Sequence, residues 1–302
     1  MTSVTEIAEK LTADQIDRVL ALLRVAGDAD GANPVSEHAV LQLKDGQPAL
    51  HVLVMAGDEL AGYANVDVSD PAGGPGAELV VHPMLRRRGY GRQLAEAVAR
   101  IAEERDADGR LRVWAHGDHP AASLIALRLG FERHRSLWQM RRSLRRPIPQ
   151  PELPGDVTIR PFEPGRDEDA WLRVNARAFA DHPEQGKLTR RDLDLRISAA
   201  WFDPAGFLLA ERDGVLVGFH WTKVHPDGVG EVYVLGVDPE LGAGLGLGTS
   251  LTLAGLHHLR EQGIDEVNLY VDEGNPRAVS LYSRLGFMRW TADIGFQRIT
   301  KR

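Results

Sequence analysis

The sequence has no cysteine. A disulfide framework and a thiolate-ligated zinc site are therefore excluded, and no metal is expected. No apolar run approaches the roughly 18 residues of a membrane-spanning helix, so no membrane partner is expected. A basic excess is also missing. Lys and Arg number 36 against 43 Asp and Glu, a net charge of −7, which argues against nucleic-acid binding because that needs a basic footprint. Met1 to Glu6 carry neither the basic nor the apolar region of a secretory signal, and a cytoplasmic protein is expected. What is present is ordinary for a globular protein, with 43% hydrophobic and 26% charged residues. A length of 302 residues suits about two domains.

Local patterns alternate between helix and strand. Thr12-Ala13-Asp14-Gln15 reads as a capping box, followed by Ile16, Val19, Leu20 and Leu23 at helical spacing. The segment from Gly27 to Ser36 reads as a loop that ends this helix. Leu50 to Val54, Gly62 to Val68 and Glu78 to Pro83 read as strands, then Arg112 to Ala115 as a strand and Pro120 to Leu129 as a helix. The stretch Pro147-Ile148-Pro149-Gln150-Pro151-Glu152-Leu153-Pro154 favours an extended spacer. It sets the expected organisation: a domain over 1–146, a Pro-rich linker over 147–156 and a domain over 157–302.

The second half repeats the first. His82-Pro83 and Asp238-Pro239 lie 156 residues apart, as do Trp114 and Tyr270. Pro120, Ala122, Arg128, Leu129, Gly130 and Phe131 recur at the same offset as Pro276, Ala278, Arg284, Leu285, Gly286 and Phe287. The chain reads as a tandem duplication of one α/β domain with a mixed sheet, which makes one copy a control for the other. At this offset Glu231 falls on Pro75, Asn275 on His119 and Tyr282 on Ala126. Polar groups fit for chemistry are expected only in the second copy.

The second copy runs from the strand Glu231–Val237 through a turn, Gly242, Ala243, Gly244, Leu245, Gly246, Leu247 and Gly248, into a helix from Thr249 to about Glu261. A strand over Val267–Val271 and a helix begun by Asn275-Pro276 follow. The first copy has Arg86-Arg87-Arg88-Gly89-Tyr90-Gly91 at the matching turn. Glycines before a helix let backbone N–H groups approach a phosphate at the positive end of the helix dipole. No cation occupies the matching positions of the second copy, so its turn reads either as a backbone-only cradle or as a plain flexible loop. Glu231 alone reads also as a solvated strand end, and Tyr282 as an ordinary packing residue.

This order of parts resembles the GNAT superfamily of N-acetyltransferases, and Arg86 to Gly91 resembles its acetyl-CoA signature. Phe179 to Gly186, Trp201 to Pro204, Gly218 to Pro226 and Gly230 to Pro239 further resemble the mycothiol synthase family over nearly the whole chain. So do the stretch Glu78 to Pro83, the triple Arg and Trp114 to Gly117 in the first copy. The resemblance implies acetyl-CoA as co-substrate in the second domain, held by Leu235, Gly236, Val237, by Gly242, Ala243, Gly244, Leu245, Gly246, Leu247 and Gly248, and by Asn275, Pro276, Arg277, Ala278, Val279 and Ser280. It implies a second acetyl-CoA in the first domain, along Leu79, Val80 and Val81 and along Arg87, Arg88, Gly89, Tyr90, Gly91 and Arg92.

The implied acceptor is a small molecule, a cysteinyl-glucosaminyl-inositol whose α-amine is acetylated. Glu37, Glu184, Lys223, Glu231 and Tyr270 would contact it, and Glu37 comes from the first copy, which implies binding between domains. Glu231 is implied as general base, Tyr282 as general acid and the Leu235 N–H as donor to the thioester carbonyl. The first domain, with Pro75 and Ala126 at the base and acid positions, is expected to bind without turnover. A monomer is expected. Two alternatives stay open: a tandem acetyltransferase for another amine, and a non-catalytic acetyl-CoA-binding module.

Overall fold

The computed structural model describes residues 3–45, 48–70, 73–182 and 185–299. In chain order the elements are β1 (Ser3–Ala8), α1 (Ala13–Asp30), α2 (Glu37–Asp45), β2 (Leu50–Ala56), β3 (Glu59–Asp67), β4 (Gly76–Val81), α3 (Tyr90–Arg105), β5 (Arg110–Ala115), α4 (Pro120–Arg128) and β6 (Glu132–Ser143). There follow β7 (Val157–Pro161), α5 (Glu168–Ala178), α6 (Arg190–Ile197), β8 (Phe207–Arg212), β9 (Val215–Val224), β10 (Gly230–Val237), α7 (Leu247–Glu261), β11 (Glu266–Asp272), α8 (Pro276–Arg284) and β12 (Met288–Ile299).

These elements form two compact units, one of residues 1–137 with 291–302 and the other of residues 138–290. The expected break at 147–156 is displaced. The Pro-rich stretch lies inside the second unit and is bound there: Arg142 Nη2 donates to Pro147 O at 2.8 Å and His257 Nε2 meets Pro149 O at 2.9 Å. The first unit takes its last strand from the C-terminal end of the chain.

The sheet of the first unit has the order β1-β2-β3-β4-β5-β12. Its neighbours pair antiparallel except β4 and β5, which are parallel and joined through α3. The second unit repeats this with the order β7-β8-β9-β10-β11-β6, where β10 and β11 are the parallel pair joined through α7. A parallel pair requires such a crossover.

The capping box of α1 forms as read, with Gln15 N donating to Thr12 Oγ1 at 3.3 Å and Thr12 N to Gln15 Oε1 at 3.0 Å. The helix runs past Gly27, however, and stops at Gly31, whose φ of 67° is left-handed. On one face of the second sheet, Trp171, Phe207, Phe219 and Trp221 form an aromatic core, with Phe207 stacked on Trp221 at 4.2 Å. Val232, Val267 and Leu269 pack on the other face with Leu253, Leu256 and Leu259 of α7. The sheet is thus buried on both faces, and any polar group within it needs a reason to be there.

Candidate active site

Strand β10 is paired along its whole length to β9, from Gly230↔Val224 to Val237↔Gly218. Its pairing to β11 ends after three residues, at Val232↔Leu269. A bulge between Val232 and Val234 inserts Tyr233 and bends the strand there. Beyond it β10 and β11 no longer share a ladder, and one edge of β10 is left for another partner. Asp238 N donates to Val217 O on the β9 side at 2.9 Å. With a period of two, the Leu235 N–H points to the opposite edge, into the cleft. The first unit repeats this geometry: β4 and β5 pair only from Gly76↔Arg112 to Glu78↔Trp114, and His82 N donates to Ala61 O at 2.9 Å. Leu79, Val80 and Val81 lie past the last pair.

The glycine turns lead from these edges into α3 and α7. Gly89 and Gly246 are their N-caps, with φ of 94° and 70°, and neither helix has a side-chain cap. By contrast α1, α4, α6 and α8 are each capped by a side chain. The leading N–H groups of α3 and α7, those of Tyr90 and Gly91 and of Leu247 and Gly248, are thereby left for an anion, and a Cβ at Gly244 or Gly246 would meet nothing within 4 Å. The residues present fit a pyrophosphate. The second turn is also anchored at its root. The buried Asp238 carboxylate accepts from Glu240 N (3.0 Å), Leu241 N (2.9 Å) and Arg177 Nε (2.7 Å). Burial would raise its pKa, but these donors outweigh it and hold the group below the usual carboxylate range. Gly242 is obligatory, because a Cβ there would come within 2.6 Å of Val237 and 2.7 Å of Val217 O. A loop rooted in this way is not merely flexible.

In the first unit Arg86 does not face a ligand. It forms a two-pronged pair with Asp30, both bonds at 2.7 Å, and braces the loop against α1. Arg87, Arg88 and Arg92 are exposed, and Arg87 has a left-handed φ of 65°. The ring of Tyr90 is buried, which leaves its backbone as the part facing the turn.

Glu231 lies at the last ladder pairs before the splay. It faces Lys223 across β9 and Asn268 across β11. All three are buried, 7%, 8% and 6% exposed. His225 Nε2 meets Glu231 Oε2 at 2.6 Å and reaches further toward solvent, its side chain 27% exposed against 10% for Glu231. The Lys223 ammonium sits 4.3 Å from the Trp201 ring centre and 5.0 Å from that of Tyr233, a cation–π box at the end of the aromatic core. The bulge therefore places Tyr233 in this wall. It also corrects the comparison of the copies. Glu231 is opposite Lys223 as Gly76 is opposite Asp67, so the first-unit counterpart of Glu231 is Gly76 and not Pro75. The inserted Tyr233 shifts the 156-residue offset by one.

Tyr282 is 7% exposed on α8, edge-on to Phe287 at 5.7 Å. Burial pushes its phenol pKa up, which keeps the proton on the oxygen. Asn275 caps α8, its Oδ1 accepting from Ala278 N at 3.0 Å, and Pro276 takes the first helical position. Arg277, Ala278, Val279 and Ser280 form the first turn of that helix. Tyr270 is 43% exposed, and its hydroxyl accepts from Gln139 Nε2 at 3.1 Å. Glu37 opens α2 in the first unit. Glu184 lies outside the described residues.

The first unit carries a buried polar cluster of its own. At its splay His116 Nδ1 lies 2.8 Å from Asp293 Oδ2, His116 Nε2 lies 3.6 Å from Glu78 Oε2, and Gly117 N donates to Asp293 Oδ1 at 2.9 Å. Burial would discharge His116, but Asp293 and Glu78 outweigh it and raise the imidazole to about 10. Burial likewise would raise Glu78, yet His116 and Ser36 hold it below the usual range. A protonated His between two carboxylates is spent as an ion cluster and makes a poor base. Among the described residues no group of three or more His, Asp or Glu side chains is arranged to hold a metal ion.

The model described as "Acetyltransferase (GNAT) family" matches residues 19–131 and 171–287. The chain is 56% identical over 298 residues to a mycothiol acetyltransferase of Salinispora arenicola, covering 96% of this chain and 95% of that one. It is 55% identical to a mycothiol acetyltransferase of Thermobispora bispora, covering 99% and 100%. Among solved structures, a GCN5-related N-acetyltransferase of Sphaerobacter thermophilus superposes with a TM-score of 0.74 at 25% identity, covering 99% and 96%. A tandem GNAT protein from the clavulanic acid biosynthesis pathway has a TM-score of 0.77 at 19% identity, covering 99% and 98%, a likeness of fold.

Proposed function

The chain belongs to the GNAT acetyltransferases and, within them, to the mycothiol acetyltransferase family; from this premise we propose that its second unit acetylates the cysteinyl α-amine of a cysteinyl-glucosaminyl-inositol, giving mycothiol. The observation that carries the reading is the buried Glu231, bonded to His225, beside a β10 edge that opens at Leu235. Bound acetyl-CoA supplies the acetyl thioester. The Leu235 N–H donates to the thioester oxygen, where negative charge grows during transfer. An α-amine has a pKa near about 8 and is largely protonated at neutral pH. Glu231 takes that proton, directly or through a water, and His225 fixes one carboxylate oxygen so that the other faces the amine. Tyr282, kept protonated by burial, donates to the departing thiolate. Lys223, held in its aromatic box, and Tyr270 orient the polyhydroxylated part, with Glu184 as a further contact. A second acetyl-CoA is held in the first unit without turnover, because Glu78 and His116 neutralise each other there.

The test is CoA release and product mass with acetyl-CoA and the cysteinyl acceptor. Wild type adds one acetyl group to the amine, and Glu231→Gln loses about 10²- to 10⁴-fold in kcat. First-unit Arg88→Ala leaves turnover near wild type. Acetyl-CoA binding without acceptor-dependent CoA release would defeat the substrate assignment.

A further inference from the structure

The buried row Lys223–Glu231–Asn268 crosses three adjacent strands, and paired residues on neighbouring strands project from the same face about 5 Å apart. Lys223 and Glu231 have partners: the aromatic box for one and His225 for the other. Asn268 differs. The residue is 6% exposed, and its Oδ1 is a buried acceptor with no hydrogen-bond partner. A buried acceptor left unmade costs roughly 1–3 kcal/mol, so one kept beside the base calls for a donor that arrives with the ligand. Its strand position is also informative. Asn268 is the ladder partner of Glu231, one pair before the strands part at Val232↔Leu269, at the mouth of the cleft into which the Leu235 N–H points.

We infer that Asn268 is a substrate-positioning residue that accepts a hydrogen bond from the acceptor's α-amine, an inference that rests on the function proposed above. The α-ammonium carries three N–H bonds. One proton passes to Glu231, and the electron pair it leaves becomes the nucleophile. A second N–H, held by Asn268 Oδ1, fixes rotation about the C–N bond and turns that electron pair toward the thioester carbon. The new C–N bond forms as the C–S bond breaks; Glu231, having passed its first proton to solvent by way of the more exposed His225, takes the nitrogen's surplus proton, and the thiolate takes one from Tyr282, which is reprotonated from solvent before the next turnover. Glu231 removes charge, and Asn268 sets direction. An amine donor is selected over a hydroxyl, because one hydroxyl proton cannot serve both acceptors while an amine serves both.

The test compares wild type with Asn268→Leu, which is close in size and removes the orphan oxygen. A structural role and a binding role then predict opposite signs. The expected result is thermal stability equal to or above wild type, a KM and Kd for the cysteinyl acceptor raised about tenfold or more, and an unchanged KM for acetyl-CoA. Asn268→Asp, which keeps an oxygen at this place, brings acceptor affinity back to within about threefold. An analogue with hydroxyl in place of the amine binds wild type and Asn268→Leu equally. Unchanged acceptor affinity in Asn268→Leu overturns the inference and leaves the proposed function standing, as does a stability loss with all constants unchanged. If wild type does not acetylate the amine at all, the proposed function fails first; calorimetric binding of the acceptor to both proteins then decides whether Asn268 recognises it. Should Asn268→Leu not fold, the Asp variant and the hydroxyl analogue give the same decision on wild-type fold.

Discussion

Replacing His116 by Gln tests whether the ion cluster of the first unit secures its last strand. In the wild type the imidazolium lies 2.8 Å from Asp293 and 3.6 Å from Glu78. Its pKa rises from 6.5 to about 10 on folding, because the two carboxylates outweigh burial. A raised folded pKa contributes stability that is complete below 6.5 and is lost as pH climbs toward 10. At 1.36 kcal/mol per pH unit the whole contribution is about 5 kcal/mol, a large share of a domain's 5–15. Glu78 has the opposite sign. Its folded pKa is depressed, so its share is present above its unfolded value of 4.5 and disappears in acid. The plateau therefore lies between about 4.5 and 6.5. Gln in place of His leaves two carboxylates nearly buried with one neutral donor between them, a loss of about 3–5 kcal/mol. Hydrogen exchange with mass spectrometry, corrected for the intrinsic pH dependence of exchange, reads this locally over 76–81, 110–116 and 291–299. Wild-type protection should fall there between pH 6.5 and 9.5, while the variant starts lower and stays flat. Segments 207–212 and 215–224 of the second unit are the control. Equal wild-type protection at pH 7 and 9.5 in the first-unit segments would refute the reasoning.

Three further outcomes follow from the geometry. Tyr282→Phe keeps the packing against Phe287 but removes the proton, so kcat should drop about 10²-fold or more with little change in Tm; steady-state kinetics and calorimetry check both. Gly255→Ala puts a Cβ within 2.2 Å of the fully buried His220 ring and should destabilise the second unit by about 1–3 kcal/mol in urea unfolding. Gly246→Ala meets no neighbour but must hold φ near 70°, so a stability loss of about 1–2 kcal/mol should come with weaker acetyl-CoA binding by calorimetry.

Much of the fold was legible in the sequence because it is written in local periods. The Thr12 capping box, the strand over Val267–Val271 and the Asn275-Pro276 start of α8 each appear where the residues point. Strands β6 and β12 were not read. Glu132-Arg133-His134-Arg135 has no apolar alternation, and such a strand forms because neighbours offer it a ladder, which is tertiary information. Glu231, Tyr282 and the glycine turn were named from motifs, and the structure adds their surroundings: a His225 partner for Glu231, burial for Tyr282 and left-handed glycines in the turn. The bulge was not legible, since Tyr233 reads as one more strand residue until β9 shows it unpaired. Nor was the joining of Glu78, His116 and Asp293, which are far apart in the chain. The Asp238-Pro239 pair marked the root of the glycine loop, and the His-Pro pair at 225–226 held the partner of Glu231; both were visible as patterns without a role.

The make-up of the first unit sets an order of assembly during translation. Five of its strands leave the ribosome early, but β5 waits for residues 294–299 to cover its edge. About 180 residues must be synthesised in between, which takes roughly 9–36 s at 5–20 residues per second. The second unit receives residues 138–143 before most of its own strands exist, so it can close first. A chain cut between its midpoint and residue 294, even one with every residue of 1–137, is left with an open strand edge, the kind of surface that pairs with other chains or is removed by proteases. Residues 294–299 thus close a unit whose other strands were made long before.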